Sequence, residues 1–92
     1  MKSEKNTVIR NSKIAWQKIQ EKIILVSPKT MRIHIIHGSG GSIWEHLKDA
    51  RSEDELAELL CEEYDTTVER AKKDVQTFLD QLKKENLVIS NA

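Results

Sequence analysis

The 92-residue sequence predicts one α+β domain, with strands first and helices after. Three observations carry that expectation. Between Ile14 and Ile36 the chain is rich in β-branched residues set in short runs, as strands are. At His37-Gly38-Ser39-Gly40-Gly41-Ser42 a Gly/Ser break ends that pattern. Beyond it the apolar period becomes about 3.6, punctuated by helix-capping signals. The expected order is a three-stranded antiparallel sheet followed by three helices.

Taken in order, residues 1–12 are polar and read as a flexible N-terminal tail, with Val8 and Ile9 as its only docking points. Residues 13–92 form the domain. Ile14-Ala15-Trp16-Gln17-Lys18-Ile19 is the first strand, and Gln20-Glu21-Lys22 a short polar connection. Ile23-Ile24-Leu25-Val26 is the second, closed by a turn at Ser27-Pro28-Lys29-Thr30 in which proline presets φ. Met31-Arg32-Ile33-His34-Ile35-Ile36 alternates apolar and polar until its last residue, as a half-buried third strand does. Together the three make a meander.

The helices announce themselves by their caps. Ser39 or Ser42 is a candidate cap for a short first helix that puts Ile43, Trp44 and Leu47 on one face and ends near Asp49-Ala50. Ser52-Glu53-Asp54-Glu55 has the form of a capping box, with acids crowding the first turn where the helix dipole favours them. The second helix buries Leu56, Leu59, Leu60 and Cys61 and breaks at Tyr64-Asp65-Thr66. Thr67 caps the third, whose apolar stripe is Val68, Ala71, Val75, Phe78, Leu79 and Leu82. Asn86 suits a left-handed C-terminal stop, and Leu87-Val88-Ile89 packs back or adds a scrap of strand. Helices two and three read as a helix-turn-helix pair, so the whole is winged helix-turn-helix-like.

Composition excludes several functions. Hydrophobic residues are 38% and charged residues 33%, and the longest apolar run is strand-sized, far short of a membrane span. The N-terminus has no apolar stretch of the signal-peptide kind. One cysteine makes no internal disulfide and suits a reducing cytoplasm. Gly38-Ser39-Gly40-Gly41 lacks the Gly-Lys-Ser/Thr ending of a phosphate loop. His34 and His37, with Cys61 the only thiol, give no second ligand pair at zinc spacing, so neither metal nor cofactor is expected. Cys61 sits among acids in an apolar stripe, the reverse of an activated nucleophile. No base, orienting acid and oxyanion hole come together, and the chain reads as a binding protein rather than an enzyme.

Net charge is zero but unevenly spread: +6 over residues 1–37, −7 over 38–66 and +1 over 67–92. Such asymmetry marks interaction surfaces. The alternative of a winged-helix DNA-binding regulator needs one strong basic face. Glu69, Arg70, Lys72, Lys73 and Asp74 alternate in sign on the third helix instead, so no nucleic acid is expected. A dimerisation module pairing through a sheet edge or Trp16 is a further reading, and the expected state is a monomer or weak homodimer.

A meander has two open edges, and an open edge invites another strand. A helix lining one edge gives a groove that captures an extended peptide by β-augmentation. The predicted groove joins Met31, Arg32, Ile33, His34, Ile35 and Ile36 to a stripe of Lys72, Gln76, Leu79 and Lys83 beside the core stripe of helix three.

Ile35-Ile36-His37-Gly38-Ser39-Gly40-Gly41-Ser42-Ile43-Trp44-Glu45-His46-Leu47 resembles the PqqD signature, a strand running into Leu-Asn-x-Thr-Gly and then Ile-Trp-x-Leu. Arg51-Ser52-x-x-Glu55-Leu56-Ala57, Glu63-Tyr64-Asp65 and Ala71-x-x-Asp74-Val75-x-x-Phe78-Leu79-x-x-Leu82 continue it, and Ala15-Trp16 and Ile24-Leu25-Val26-x-Pro28 precede it. The resemblance spans residues 14–89. His37 stands where asparagine is usual and Ser39 where threonine is. What it implies is a RiPP recognition element, which binds the leader of a ribosomally made precursor peptide and presents it to a maturation enzyme. The leader then adds to the third strand beside the third helix. The enzyme is a radical SAM protein in pyrroloquinoline quinone synthesis, or a leader peptidase in lasso-peptide maturation. The basic N-terminal segment leans the expectation to the lasso type.

Overall fold

The computed structural model describes residues 6–91. Its elements are β1 (Thr7–Arg10), β2 (Ala15–Ile19), β3 (Lys22–Val26), β4 (Ile33–Ile36), α1 (Ser39–His46), β5 (Arg51–Ser52), α2 (Glu53–Glu63), α3 (Val68–Lys84) and β6 (Val88–Asn91). The fold class is the α+β arrangement expected, with the meander β2-β3-β4 and three helices after it. Its register pairs Trp16 with Leu25 and Leu25 with His34, so each strand faces its sequence neighbour directly.

A second sheet, β5-β1-β6, is the main difference from the sequence reading. Residues 7–10, expected within a flexible tail, form its central strand, while residues 1–5 lie outside the described part. β1 pairs antiparallel with both neighbours, Thr7 opposite Ser52 on one side and Asn91 on the other. Val8 is buried in the core. At the end of the strand and just past it, the Arg10 and Asn11 amides donate to the carbonyls of Leu47 and Leu87. Arg10 also lays its guanidinium over the exposed ring of Trp16, 4.8 Å from its centroid, and Trp16 meets the buried Trp44 edge to face. The first segment is therefore tied by backbone bonds to Leu47, β5 and β6 and by a cation–π contact to Trp16.

Caps follow the sequence at two helices and depart from it at the third. Ser52 Oγ accepts from the Glu55 amide at 3.2 Å while Glu55 Oε1 accepts from the Ser52 amide at 2.8 Å, a complete capping box. Thr67 Oγ1 accepts from the Arg70 amide. At α1, neither Ser39 nor Ser42 caps: Gly38 is the N-cap, with φ 59° and ψ −135°. That conformation is open to glycine and strained for any other residue, so backbone geometry does here what a hydroxyl was expected to do. α1 stops at His46 rather than near Asp49. Asn86 takes φ 59° beyond the end of α3, and the Leu87 amide donates to the Leu82 carbonyl, closing the helix and turning the chain into β6.

One core joins the elements. Ile23, Leu25 and Ile36 from the inner face of the meander meet Ile43, Trp44 and Leu47 of the α1 segment, Leu56 and Leu60 of α2, and Ala71, Val75, Leu79 and Leu82 of α3. Val68, expected in the buried stripe, is 49% exposed because it opens the helix beyond the edge of that core. Cys61 and Phe78 are partly buried against the core.

Candidate peptide-binding groove

In the meander β3 is central, so β4 has one paired and one open edge. The Ser27 amide donates to the Arg32 carbonyl, which makes Ser27 and Arg32 a hydrogen-bonded antiparallel pair. Bonded and non-bonded pairs alternate along such a ladder. His34 and Ile36 therefore turn their amides and carbonyls to β3, opposite Leu25 and Ile23. Ile33 and Ile35 turn theirs to the open edge. The side chains alternate likewise: Ile33 and Ile35 are 66% and 54% exposed on the outer face, while Ile36 is buried inward and His34 half-buried.

Between this open edge and α3 runs a groove of about 680 Å³. β4 supplies Arg32 to Ile36 as one wall. The other wall comes from α3 and its C-terminal cap, through Asp74, Phe78, Gln81, Leu82 and Glu85, spaced four, three, one and three residues apart as a single helical face requires. Gly40 and Ile43 of α1 complete the floor. Gly40 is bare for a reason of space. A Cβ there would stand 2.8 Å from Ile36 Cγ2 and 3.1 Å from Phe78 Cε1, so glycine lets α1 close the groove's end without displacing either wall.

The sequence-predicted residues divide cleanly. Arg32, Ile33, His34, Ile35 and Ile36 line the groove. Met31 sits in the turn before β4 with φ 59°, 72% exposed, and lines no part of it. The α3 stripe lies away from this groove. Lys72 pairs with Asp54 at 3.1 Å and Gln76 donates to Glu53 Oε1 at 3.2 Å, both toward the start of α2. Lys83 borders a hollow with Ser52, Glu53 and Asp54, and Leu79 is fully buried. At 3.6 residues per turn the predicted stripe lies about 150° around α3 from the groove-lining face. Apolar periodicity locates the core side of a helix but not which flank of that side meets the sheet. The residues missed are Asp74, Phe78, Gln81, Glu85 and Gly40. Phe78 was legible only as a core residue, and its partial burial is what places it in the wall.

The groove has an apolar patch toward α1, with Asp74 a helical turn beyond Phe78, and a charged cluster at its other end. Ile36, Ile43, Phe78 and Leu82 lie toward α1. At the opposite end Glu85 stands 3.7 Å from both the Arg32 guanidinium and His34 Nε2. Among the described residues no group of three or more His, Cys, Asp or Glu could hold a metal ion, and no helix is long and apolar enough to cross a membrane.

No curated protein matches the sequence. Two solved structures are similar in fold. TbiB1 in complex with the TbiA(beta) leader peptide superposes with a TM-score of 0.82 at 20% identity, over 91% of this chain and 98% of that one. Lasso peptide synthetase B1 complexed with the leader peptide gives a TM-score of 0.77 at 17% identity, over 89% and 96%. The family model for coenzyme PQQ synthesis protein D matches residues 22–88. That stretch begins with β3, takes in both walls of the groove and reaches the first residue of β6, and the chain belongs to the PqqD family.

Proposed function

We propose that this protein is a precursor-peptide-binding module that captures a leader segment as an added strand on β4, against α3, and presents it to a maturation enzyme. The observation that carries the reading is the open edge of β4, whose Ile33 and Ile35 backbone groups face a groove with an apolar patch. Those two residues offer four backbone hydrogen bonds. At about 0.5–1.5 kcal/mol net each they contribute roughly 2–6 kcal/mol, much of it offset by ordering the peptide. Specific binding therefore needs an apolar anchor buried between Phe78, Leu82 and Ile36, a contribution of about 1.5–3 kcal/mol. The likeness in fold to two leader-peptide complexes supports the same reading.

In this role the protein does no chemistry; it raises the local concentration of the precursor at the enzyme. The partner in this reading is a lasso-type leader peptidase, in keeping with the likeness in fold to a lasso peptide synthetase B1, or the radical SAM enzyme of quinone-cofactor synthesis, in keeping with the family model. The test is a fluorescence-polarisation titration with the leader of the precursor encoded beside this gene, at low and high salt, with a random DNA duplex as control. Saturable peptide binding that persists in salt is the expected result. Salt-sensitive duplex binding without a peptide response overturns it, because phosphate contacts weaken steeply with salt.

A further inference from the structure

Where β4 begins, the groove is lined by Arg32 and by Lys84 of the last turn of α3. A second hollow of about 330 Å³ shares Glu85 with it and is bordered by Lys13 and Lys29. All four cations are exposed. Among the described residues, none of the three lysines pairs with an acid. Arg32 meets only Glu85, at 3.7 Å, beyond hydrogen-bond distance, so its planar donors stay available. Against four positive charges stand the Glu85 carboxylate and the carbonyl end of α3, equivalent to about half a negative charge. The surplus is about two and a half positive charges. Toward α1 the sign reverses, because the carboxylate lining the groove there is Asp74.

Resting on the groove reading above, we infer that the Arg32 end of the groove is a carboxylate subsite that selects aspartate or glutamate at one end of the captured strand. Arg32 offers a fork that takes a carboxylate through two parallel bonds, and Lys84, Lys13 and Lys29 add attraction without fixed geometry. A basic side chain there meets the cationic surplus, and an acid at the α1 end meets Asp74. Charge therefore decides which way round the peptide lies. Its spacing follows from the sheet. Arg32, His34 and Ile36 alternate with the outward Ile33 and Ile35, and residues opposite one another on paired strands share a face. The peptide residue across from Ile36 is the apolar anchor against Phe78, and the one across from Arg32 is the acid. They stand four positions apart, about 13 Å along the strand. The acid follows the anchor on a strand antiparallel to β4 and precedes it on a parallel one. Exposed ion pairs strengthen binding modestly and are screened by salt. The subsite thus discriminates among peptides that the backbone bonds and the anchor hold.

The experiment pans a display library of random 12-residue linear peptides on the full chain at low salt. It then titrates synthetic copies of the enriched sequences against the wild type, Arg32→Glu, the double variant Arg32→Ala/Lys84→Ala, and Ile35→Pro. The expected consensus sets an aspartate or glutamate four positions from an apolar residue. Changing that acid to alanine weakens binding to the wild type about three- to tenfold and to the double variant less than about twofold, and the difference falls away at high salt. Arg32→Glu binds best when lysine replaces the acid. Binders weakened by Ile35→Pro but without an acid preference, or with an alanine effect equal in all backgrounds, overturn the subsite while the groove stands. Binders indifferent to Ile35→Pro, or no enrichment at all, overturn the groove itself and the subsite with it.

Discussion

Adjacent prolines on β4 separate the two edges of that strand. The Ile35 amide faces the open edge, so Ile35→Pro removes no bond from the β3-β4 ladder, and proline is tolerated on edge strands for this reason. The residue before it, His34, is already extended, as a pre-proline residue prefers. The Ile35 side chain is 54% exposed, so little packing is lost. What the substitution removes is the donor for one carbonyl of an added strand. A carbonyl left unsatisfied at that interface costs about 1–3 kcal/mol, or roughly five- to 150-fold in Kd. His34→Pro does the opposite. It deletes an amide turned toward Leu25 in the register of the sheet and leaves that carbonyl unpaired inside the fold, costing about 1–3 kcal/mol of stability. Thermal unfolding by circular dichroism, paired with leader-peptide titration, reads both. Ile35→Pro is expected to keep its melting transition and lose affinity, while His34→Pro loses melting temperature. Unfolding by Ile35→Pro, or unchanged peptide affinity in a folded Ile35→Pro, refutes the edge assignment.

Leu79→Asp places a charge at a fully buried position, so it unfolds the domain rather than selectively abolishing peptide binding, as loss of the cooperative transition in urea shows. Lys72→Ala and Gln76→Ala cut contacts to α2 across exposed surface. Both leave peptide affinity within about twofold by titration and stability within about 0.5 kcal/mol. Ser52→Ala removes half of the capping box and lowers unfolding free energy by about 1 kcal/mol in denaturant melts, with peptide affinity unchanged.

The sequence made legible whatever local chemistry determines. Pro28 and the β-branched runs gave the meander, Ser52 and Thr67 gave two helix starts, and Asn86 gave the stop after α3. β1 was hidden because Thr7-Val8-Ile9-Arg10 shows no alternation and its partners Ser52 and Asn91 are distant in the chain. A strand whose pairing is wholly non-local leaves little trace in its own residues. The cap of α1 was misread for a related reason: serines next to a helix start resemble caps, while Gly38 achieves the same turn by conformation alone. In the groove, the strand wall was readable because a period of two fixes which side chains share a face. The helix wall was not. Lys72-Gln76-Lys83 and Asp74-Phe78-Gln81-Glu85 flank the same buried stripe on opposite sides, and only the packing of α3 between α2 and β4 decides which flank meets the sheet.

Amide hydrogen exchange, residue by residue along β4 with and without the leader peptide, tests the central claim most directly. Strand addition predicts that the Ile33 and Ile35 amides exchange freely in the unbound protein and become protected in the complex, while those of His34 and Ile36 are protected in both. Unchanged exchange at Ile33 and Ile35 on a protein saturated with peptide, with new protection elsewhere, contradicts it.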